Sequence, residues 1–274
     1  MTPPDGPGNG TFLLGVGCQK GGTAWMHRYL DSSPQCDPGF RKEYHVWDAL
    51  DLSVGRNVRE RIERQGGPRA ELLGDPERYF DYFAGLLAHP GIRLSADITP
   101  AYAELSADRL AMIRAGFDAR GVRPAAVFLL RDPVERIWSA ARMDMRRRGD
   151  EAPEDPETRV SHMYKHPMYA DRTRYDLTMD ALEAAFPRAD VFYGFYERLF
   201  SPETLEPLCA FLGVDFHEPD VGRQVNVSPK SEGATLAEDT RRTIARHFAP
   251  VYDAVQRRFP DLDLTTLWPS ARLL

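Results

Sequence analysis

The sequence predicts an α/β protein, a mainly parallel sheet flanked by helices on both faces. Three observations carry the prediction. Short apolar runs alternate with amphipathic helical segments along most of the chain, the pattern of strands joined by covering helices. The first run, TFLLGVG at 11–17, passes straight into a glycine-rich turn and a helical segment, the opening of a nucleotide-binding, P-loop-like unit. The length of 274 residues with 42% apolar side chains suits one domain with a substantial core.

The elements follow in order. Residues 1–10, rich in proline and glycine, are expected to be a flexible tail, leaving 11–274 as a single domain. A buried strand is predicted at 11–17 and a helix at 22–31, closed by Ser32-Ser33-Pro34. KEYHVWD at 42–48 reads as a short strand or an extended loop. Helices are predicted at 56–65 and 76–88, the latter from the spacing of Tyr79, Phe80, Phe83 and Leu87. A strand at 93–98 precedes a helix at 106–116. The most apolar strand, 125–130, leads into a helix with Pro133 in its first turn, where the missing N–H costs nothing. Residues 149–172, polar and proline-containing, read as a long surface excursion. A helix at 174–186, a strand at 190–195 and helices at 203–212 and 236–258 complete the chain.

Composition narrows the function. A formal net charge of −6 argues against a general nucleic-acid binder. Three cysteines, Cys18, Cys36 and Cys209, without a C-x-x-C spacing fit neither a disulfide framework nor a zinc site. The start MTPPDGPGNGT lacks the basic segment of a signal peptide, and no apolar run approaches the roughly 20 residues of a membrane span. The expectation is a soluble, cytoplasmic protein.

The stretch FLLGVGCQKGGTAWM at 12–26 carries the first chemistry. Glycines after a strand let backbone N–H groups approach an anion, and the following helix adds its positive end. Lys20 supplies a charge and Thr23 a hydroxyl. The order argues against two standard loops. Lys20 precedes the paired glycines, whereas a Walker A lysine follows the last glycine. Lys20 also stands where a dinucleotide fingerprint needs its third glycine after Gly15 and Gly17. The plain alternative is a tight turn with a solvated lysine.

Lys20-Gly21-Gly22-Thr23-Ala24-Trp25 resembles the 5′-phosphosulfate loop of the sulfotransferases, which use 3′-phosphoadenosine-5′-phosphosulfate (PAPS) and read roughly K-x-G-T-x-W. The family puts its lysine before the glycine. Ala24 departs from the second threonine of many members and removes one hydroxyl. Trp25 stands where cytosolic members stack a tryptophan on adenine; ordinary core packing accounts for it equally well. Arg131-Asp132-Pro133, with Ser139 eight positions after the arginine, is similar to the family's 3′-phosphate signature. The resemblance implies a bidentate Arg131 and a Ser139 hydroxyl on that phosphate; the plain alternative is an N-cap, with Asp132 capping the helix ahead of Pro133 and Arg131 incidental, and the cap is compatible with either.

Lys42-Glu43-Tyr44-His45-Val46-Trp47-Asp48 resembles the K-E-x-H-[FY]-[FW]-D stretch of the heparan-type and many bacterial sulfotransferases. The resemblance makes Glu43 the general base, with His45 a second base or positioning group and Lys20 the stabiliser of the leaving phosphate. In a strand Glu43 and His45 would face one side; otherwise Glu43 simply pairs with Lys42. Ala96-Asp97-Ile98-Thr99-Pro100-Ala101-Tyr102 echoes E-K-T-P-x-Y, but Ile98 replaces the lysine, which argues against a heparan-like acceptor. Phe195-Tyr196-Glu197-Arg198-Leu199 and Phe211-Leu212-Gly213 match packing elements of the family, and Asn226–Lys230 falls where members place a basic loop, making Lys230 a 3′-phosphate candidate.

Other residues carry less. His162 and His166 would share a helix face, but no third ligand is apparent and no metal is expected. Arg146-Arg147-Arg148 reads as a solvated helix end or as an attractor for an anionic acceptor. Cys18 reads as a small buried spacer. The resemblance implies transfer of a sulfuryl group from PAPS, leaving adenosine 3′,5′-bisphosphate, to a hydroxyl or amine of a small-molecule, lipid or glycan acceptor shaped by residues 50–90 and 141–172. The alternatives are a P-loop small-molecule kinase, with Asp97 holding Mg²⁺ for ATP, and a non-catalytic nucleotide-binding protein.

Overall fold

The computed structural model describes residues 10–148, 155–219 and 236–274. Lys230 and the rest of the Asn226–Lys230 segment lie outside the described residues. Five parallel strands form one sheet in the order β2-β3-β1-β4-β5: β1 (Thr11–Gly17), β2 (Cys36–Asp37), β3 (Leu94–Ile98), β4 (Arg123–Leu130) and β5 (Val191–Phe195). The first connection runs from β1 outward past β3, and the last runs from β4 to β5. The connections therefore diverge between β1 and β4, and the crevice at their carboxyl ends is where such sheets take ligands.

Helices cover both faces, as predicted. Alternation along β1 sends Phe12, Leu14 and Val16 to one face and Leu13 to the other. On the second face lie α1 (Thr23–Asp31), through Met26 and Leu30, and a C-terminal helix, Pro202–Leu212, through Leu205 and Leu208. On the first, Phe12 stacks on Phe117 at 3.8 Å and meets Phe83 at 4.8 Å. Burying such a ring contributes roughly 1.5–3 kcal/mol.

Between β1 and β3 run α2 (Trp47–Asp51), α3 (Arg56–Gln65), α4 (Pro68–Gly74) and α5 (Pro76–Leu87). Sequence periodicity missed α4 and the two-residue β2, both too short to show a period. Beyond them come α6 (Ala107–Asp118), α7 (Pro133–Arg148), α8 (Pro156–Met163), α9 (Pro167–Ala170) and α10 (Tyr175–Ala185). The predicted surface excursion at 149–172 needs correction: within it Val160, Met163 and Tyr164 are buried in the core. His162 belongs to α8, whereas His166 caps α9 by accepting from Met168 N at 3.3 Å, so the two do not share a helix face. The helix predicted at 236–258 is two, Glu238–His247 and Ala249–Arg258. Pro250 lacks the N–H needed to continue the ladder. Residues 42–46 form an extended loop rather than a strand, and His45 has φ +55°.

Candidate active site

The loop after β1 is shaped by backbone conformation. Gly21 N donates to Cys18 O at 3.0 Å and Cys18 N to Leu129 O at 2.7 Å, closing the turn against β4. Lys20 adopts φ +73° and Gly22 φ +93°. A Cβ on Gly22 would lie 2.5 Å from Leu199 Cδ2, so the position requires glycine. Gly22 is also the N-cap of α1, and no side chain caps that end. The amides that open α1 at Thr23 and Ala24 are thus left for an anion. Thr23 is buried, and Ala24 carries no hydroxyl. Trp25 is 8% exposed, its ring stacked 5.5 Å from Tyr29 and edge-on to Phe200 at 5.0 Å.

Arg131 follows the end of β4 and donates from Nη1 to Lys20 O at 2.9 Å. Two motifs far apart in sequence therefore meet at the point where the sheet connections diverge. Its guanidinium lies 4.1 Å from the centroid of the Tyr196 ring. Asp132 caps α7 as predicted, accepting from Val134 N at 3.0 Å, and also receives Tyr252 OH at 2.9 Å and Ser270 N at 3.1 Å. Glu197 takes Asp132 N at 3.2 Å and Trp268 Nε1 at 3.1 Å, which makes it a packing element.

Helix α7 then passes over the lysine. Ser139, Arg142, Met143 and Arg146 recur at helical spacing along one face, and Lys20 Nζ lies 3.9 Å from Met143 Sδ. Burial, followed by the charges of Arg146, Arg131, Arg147 and Arg142, holds the Lys20 ammonium down to about 8. Arg142 packs 5.0 Å from the Trp138 ring. The Nε atoms of Arg131 and Arg142 are buried without a hydrogen-bond partner, a costly state that an incoming anion would relieve. An acidic protein thus carries one concentrated cationic crevice. Arg142 was not singled out from sequence; its position three residues after Ser139 on a predicted helix was the available signal.

The loop is held from behind by Arg136, which is fully buried. It donates to Gln19 O at 3.2 Å, Gln19 Oε1 at 3.1 Å, Tyr169 O at 2.7 Å and Thr173 Oγ1 at 2.9 Å. Nothing in the local sequence marks it. Cys18 is buried beside Tyr175 OH at 3.3 Å, and burial pushes its thiol up, which opposes reactivity.

The residues expected on the acceptor side lie at the carboxyl end of β3, next to β1. Ile98 N donates to Lys42 O at 3.3 Å and Tyr44 N to Thr99 Oγ1 at 3.0 Å. Glu43 and His45 do face each other, through the left-handed turn at His45 rather than strand alternation. His45 Nε2 is 3.3 Å from Glu43 Oε2 and its Nδ1 2.7 Å from Asp48 Oδ2. Lys42 Nζ is 2.5 Å from Glu43 Oε1. Burial pushes Glu43 up, but His45 and Lys42 outweigh it and hold the carboxyl down to about 2. Burial opposes the His45 proton, yet Asp48 and Glu43 outweigh it and raise the imidazole to about 9. At neutral pH an imidazolium therefore sits between two carboxylates.

Asp97 is not available for a metal. It is fully buried, with Oδ1 taking Thr99 Oγ1 at 2.6 Å and Oδ2 taking Tyr79 OH at 2.9 Å and Tyr102 OH at 2.8 Å. The Mg²⁺-ligand role considered for a kinase is thus corrected: its lone pairs already face hydroxyl donors. Among the described residues no group of three His, Cys, Asp or Glu side chains could hold a metal ion, and no helix is long and apolar enough to cross a membrane.

Comparison with solved structures bears on the fold. Over 89% of this chain and 94% of the other, the fold matches the crystal structure of a sulfotransferase from Alicyclobacillus acidocaldarius, with a TM-score of 0.60 and 22% identity. The sulfotransferase domain of the curacin biosynthetic pathway aligns over 88% of this chain and 97% of its own, at 17% identity and a TM-score of 0.48. That of the Synechococcus PCC 7002 olefin synthase aligns over 90% and 97%, at 17% and 0.47. No protein-family model matches the sequence, and no curated protein matches it. The first likeness is one of fold: the α/β architecture of a sulfotransferase of known structure.

Proposed function

We propose that this chain is a sulfotransferase that moves a sulfuryl group from PAPS to a hydroxyl or amine acceptor by in-line displacement. The observation that carries the reading is the Arg131–Lys20 contact at 2.9 Å. It joins the two phosphate-binding segments at the mouth of the sheet, inside a crevice rich in arginine. The unpartnered Nε atoms of Arg131 and Arg142 fit an anionic nucleotide, and the shared fold agrees with it.

In this reading Lys20, Gly21, Gly22, Thr23 and Ala24 cradle the 5′-phosphosulfate, and Arg131 and Ser139 hold the 3′-phosphate. Trp25 borders the adenine side, and Lys230 is retained as a 3′-phosphate contact. The donor, when bound, supplies the activated sulfuryl group. Lys20 and the α1 amides stabilise charge gathering on the phosphate oxygen that departs. Glu43 takes the acceptor's proton, and His45, as an imidazolium fixed by Asp48, keeps the carboxylate ionised and oriented. A carboxylate held near 2 is a weak base, so the proton leaves late, as bonding to sulfur makes the acceptor acidic. The acceptor is a hydroxylated small molecule, lipid or glycan. The kinase alternative is not favoured, because Asp97 is committed to three hydroxyls.

The test is a thermal-shift titration with adenosine 3′,5′-bisphosphate against ATP–Mg²⁺, on wild type, Lys20→Ala and Arg131→Ala. A ligand at about 100 times its Kd stabilises the native state by roughly 2.7 kcal/mol. Stabilisation by the bisphosphate, lost in both variants, is the expected result. A response to ATP–Mg²⁺ alone would overturn the proposal.

A further inference from the structure

The loop bearing Glu43 and His45 is not held by regular structure. Lys42 O, where it starts, accepts from Ile98 N of β3 at 3.3 Å, but further on His45 sits at φ +55°, a conformation that a non-glycine residue keeps only when its surroundings enforce it. Around His45 its backbone meets side chains. Tyr44 N donates to Thr99 Oγ1 at 3.0 Å, Val46 N to Tyr102 OH at 3.1 Å, and Arg69 Nε reaches Tyr44 O at 2.5 Å. The Thr99 and Tyr102 hydroxyls in turn both donate to Asp97, at 2.6 and 2.8 Å. Each hydroxyl has one proton. Because the carboxylate takes both protons, both oxygens are left with lone pairs facing the loop amides.

We propose that Asp97 is the positioning residue of this site: through Thr99 and Tyr102 it fixes the loop that sets the His45 ring between Glu43 and Asp48. The assignment rests on reading Glu43 and His45 as the acceptor side, but the scaffold is testable without an acceptor. Replacing Asp97 with Asn turns one of its two oxygens into an N–H₂ donor, facing either Thr99 or the Tyr79 and Tyr102 pair, and the relay on that side loses its orientation toward the loop. Tyr79 supplies an internal control. Its hydroxyl donates to Asp97 at 2.9 Å, yet neither relay to the loop amides runs through it.

The groups facing His45 are Glu43 and Asp48, with Asp97 behind the loop and Lys42 beside Glu43. The readout is therefore the His45 titration, followed by NMR and assigned with His45→Gln, together with the melting temperature and the affinity for adenosine 3′,5′-bisphosphate. In wild type the midpoint should lie near 9. In Asp97→Asn, Thr99→Val and Tyr102→Phe it should fall toward the ordinary value of 6.5, whereas Tyr79→Phe keeps it. Bisphosphate affinity should change less than about threefold throughout.

A uniform loss of melting temperature in all four variants with the His45 midpoint unmoved would overturn the proposal and leave Asp97 a core residue. Should Asp97→Asn fail to fold, Thr99→Val, which keeps side-chain volume, decides alone. Failure of wild type to bind the bisphosphate would count against the sulfotransferase reading and leave the His45 result standing.

Discussion

Raising the pH through 9 strips the proton that His45 holds between Glu43 and Asp48, and the folded state should weaken as it goes. The folded imidazole binds its proton more tightly than the unfolded one, about 9 against 6.5. Its stabilisation is therefore present in full below about 6.5 and lost as the pH rises through 9. The gap corresponds to about 3 kcal/mol at roughly 1.4 kcal/mol per tenfold change in proton affinity. The imidazole is 20% exposed and Glu43 40%, whereas Asp48 is 4% exposed. Water screens the Glu43 contact, so the Asp48 pair dominates and about 1–2 kcal/mol should remain. The assay is urea denaturation of wild type and His45→Gln at pH about 6.5, 8 and 9.5. The stability difference between them should shrink by that amount across the series. Parallel curves, with no closing of the gap, would refute the assignment of an imidazolium shared by two carboxylates.

Three further outcomes follow from the same geometry. Arg131→Met should weaken adenosine 3′,5′-bisphosphate binding about 10- to 100-fold by calorimetry, since a hydrogen bond to a charged group contributes about 1.5–3 kcal/mol; an unchanged affinity would remove the guanidinium from the site. Binding of the same ligand to wild type should weaken as the pH rises above about 8, where Lys20 loses its charge, and Lys20→Met should abolish that dependence. Arg136→Met should lower stability by roughly 2–4 kcal/mol in equilibrium unfolding, because acceptors at Gln19, Tyr169 and Thr173 lose a buried donor.

Much of this protein was legible in one dimension. Alternating apolar runs located four of the five strands, and Pro133 after Asp132 marked the start of α7. Such signals are local: strand and helix periods, a cap and a proline act within a few residues. Lys20, Arg131 and Ser139 were singled out from a glycine turn, a strand end and their resemblance to family motifs, and their phosphate roles belong to the proposal. Tertiary structure decided the rest. That Arg131 touches the Lys20 carbonyl follows from the pairing of β1 with β4, a contact between residues far apart in the chain. The roles of Arg136, Arg142 and Asp48 arise from burial and from which side chains face them, and neither has a sequence period. Asp97 shows the distinction most clearly. From sequence it was an acid at a strand end, open to a metal-binding reading. In the folded chain three hydroxyls converge on it from α5 and the segment after β3. A buried carboxylate takes its role from the donors packed around it, and those are chosen by the fold.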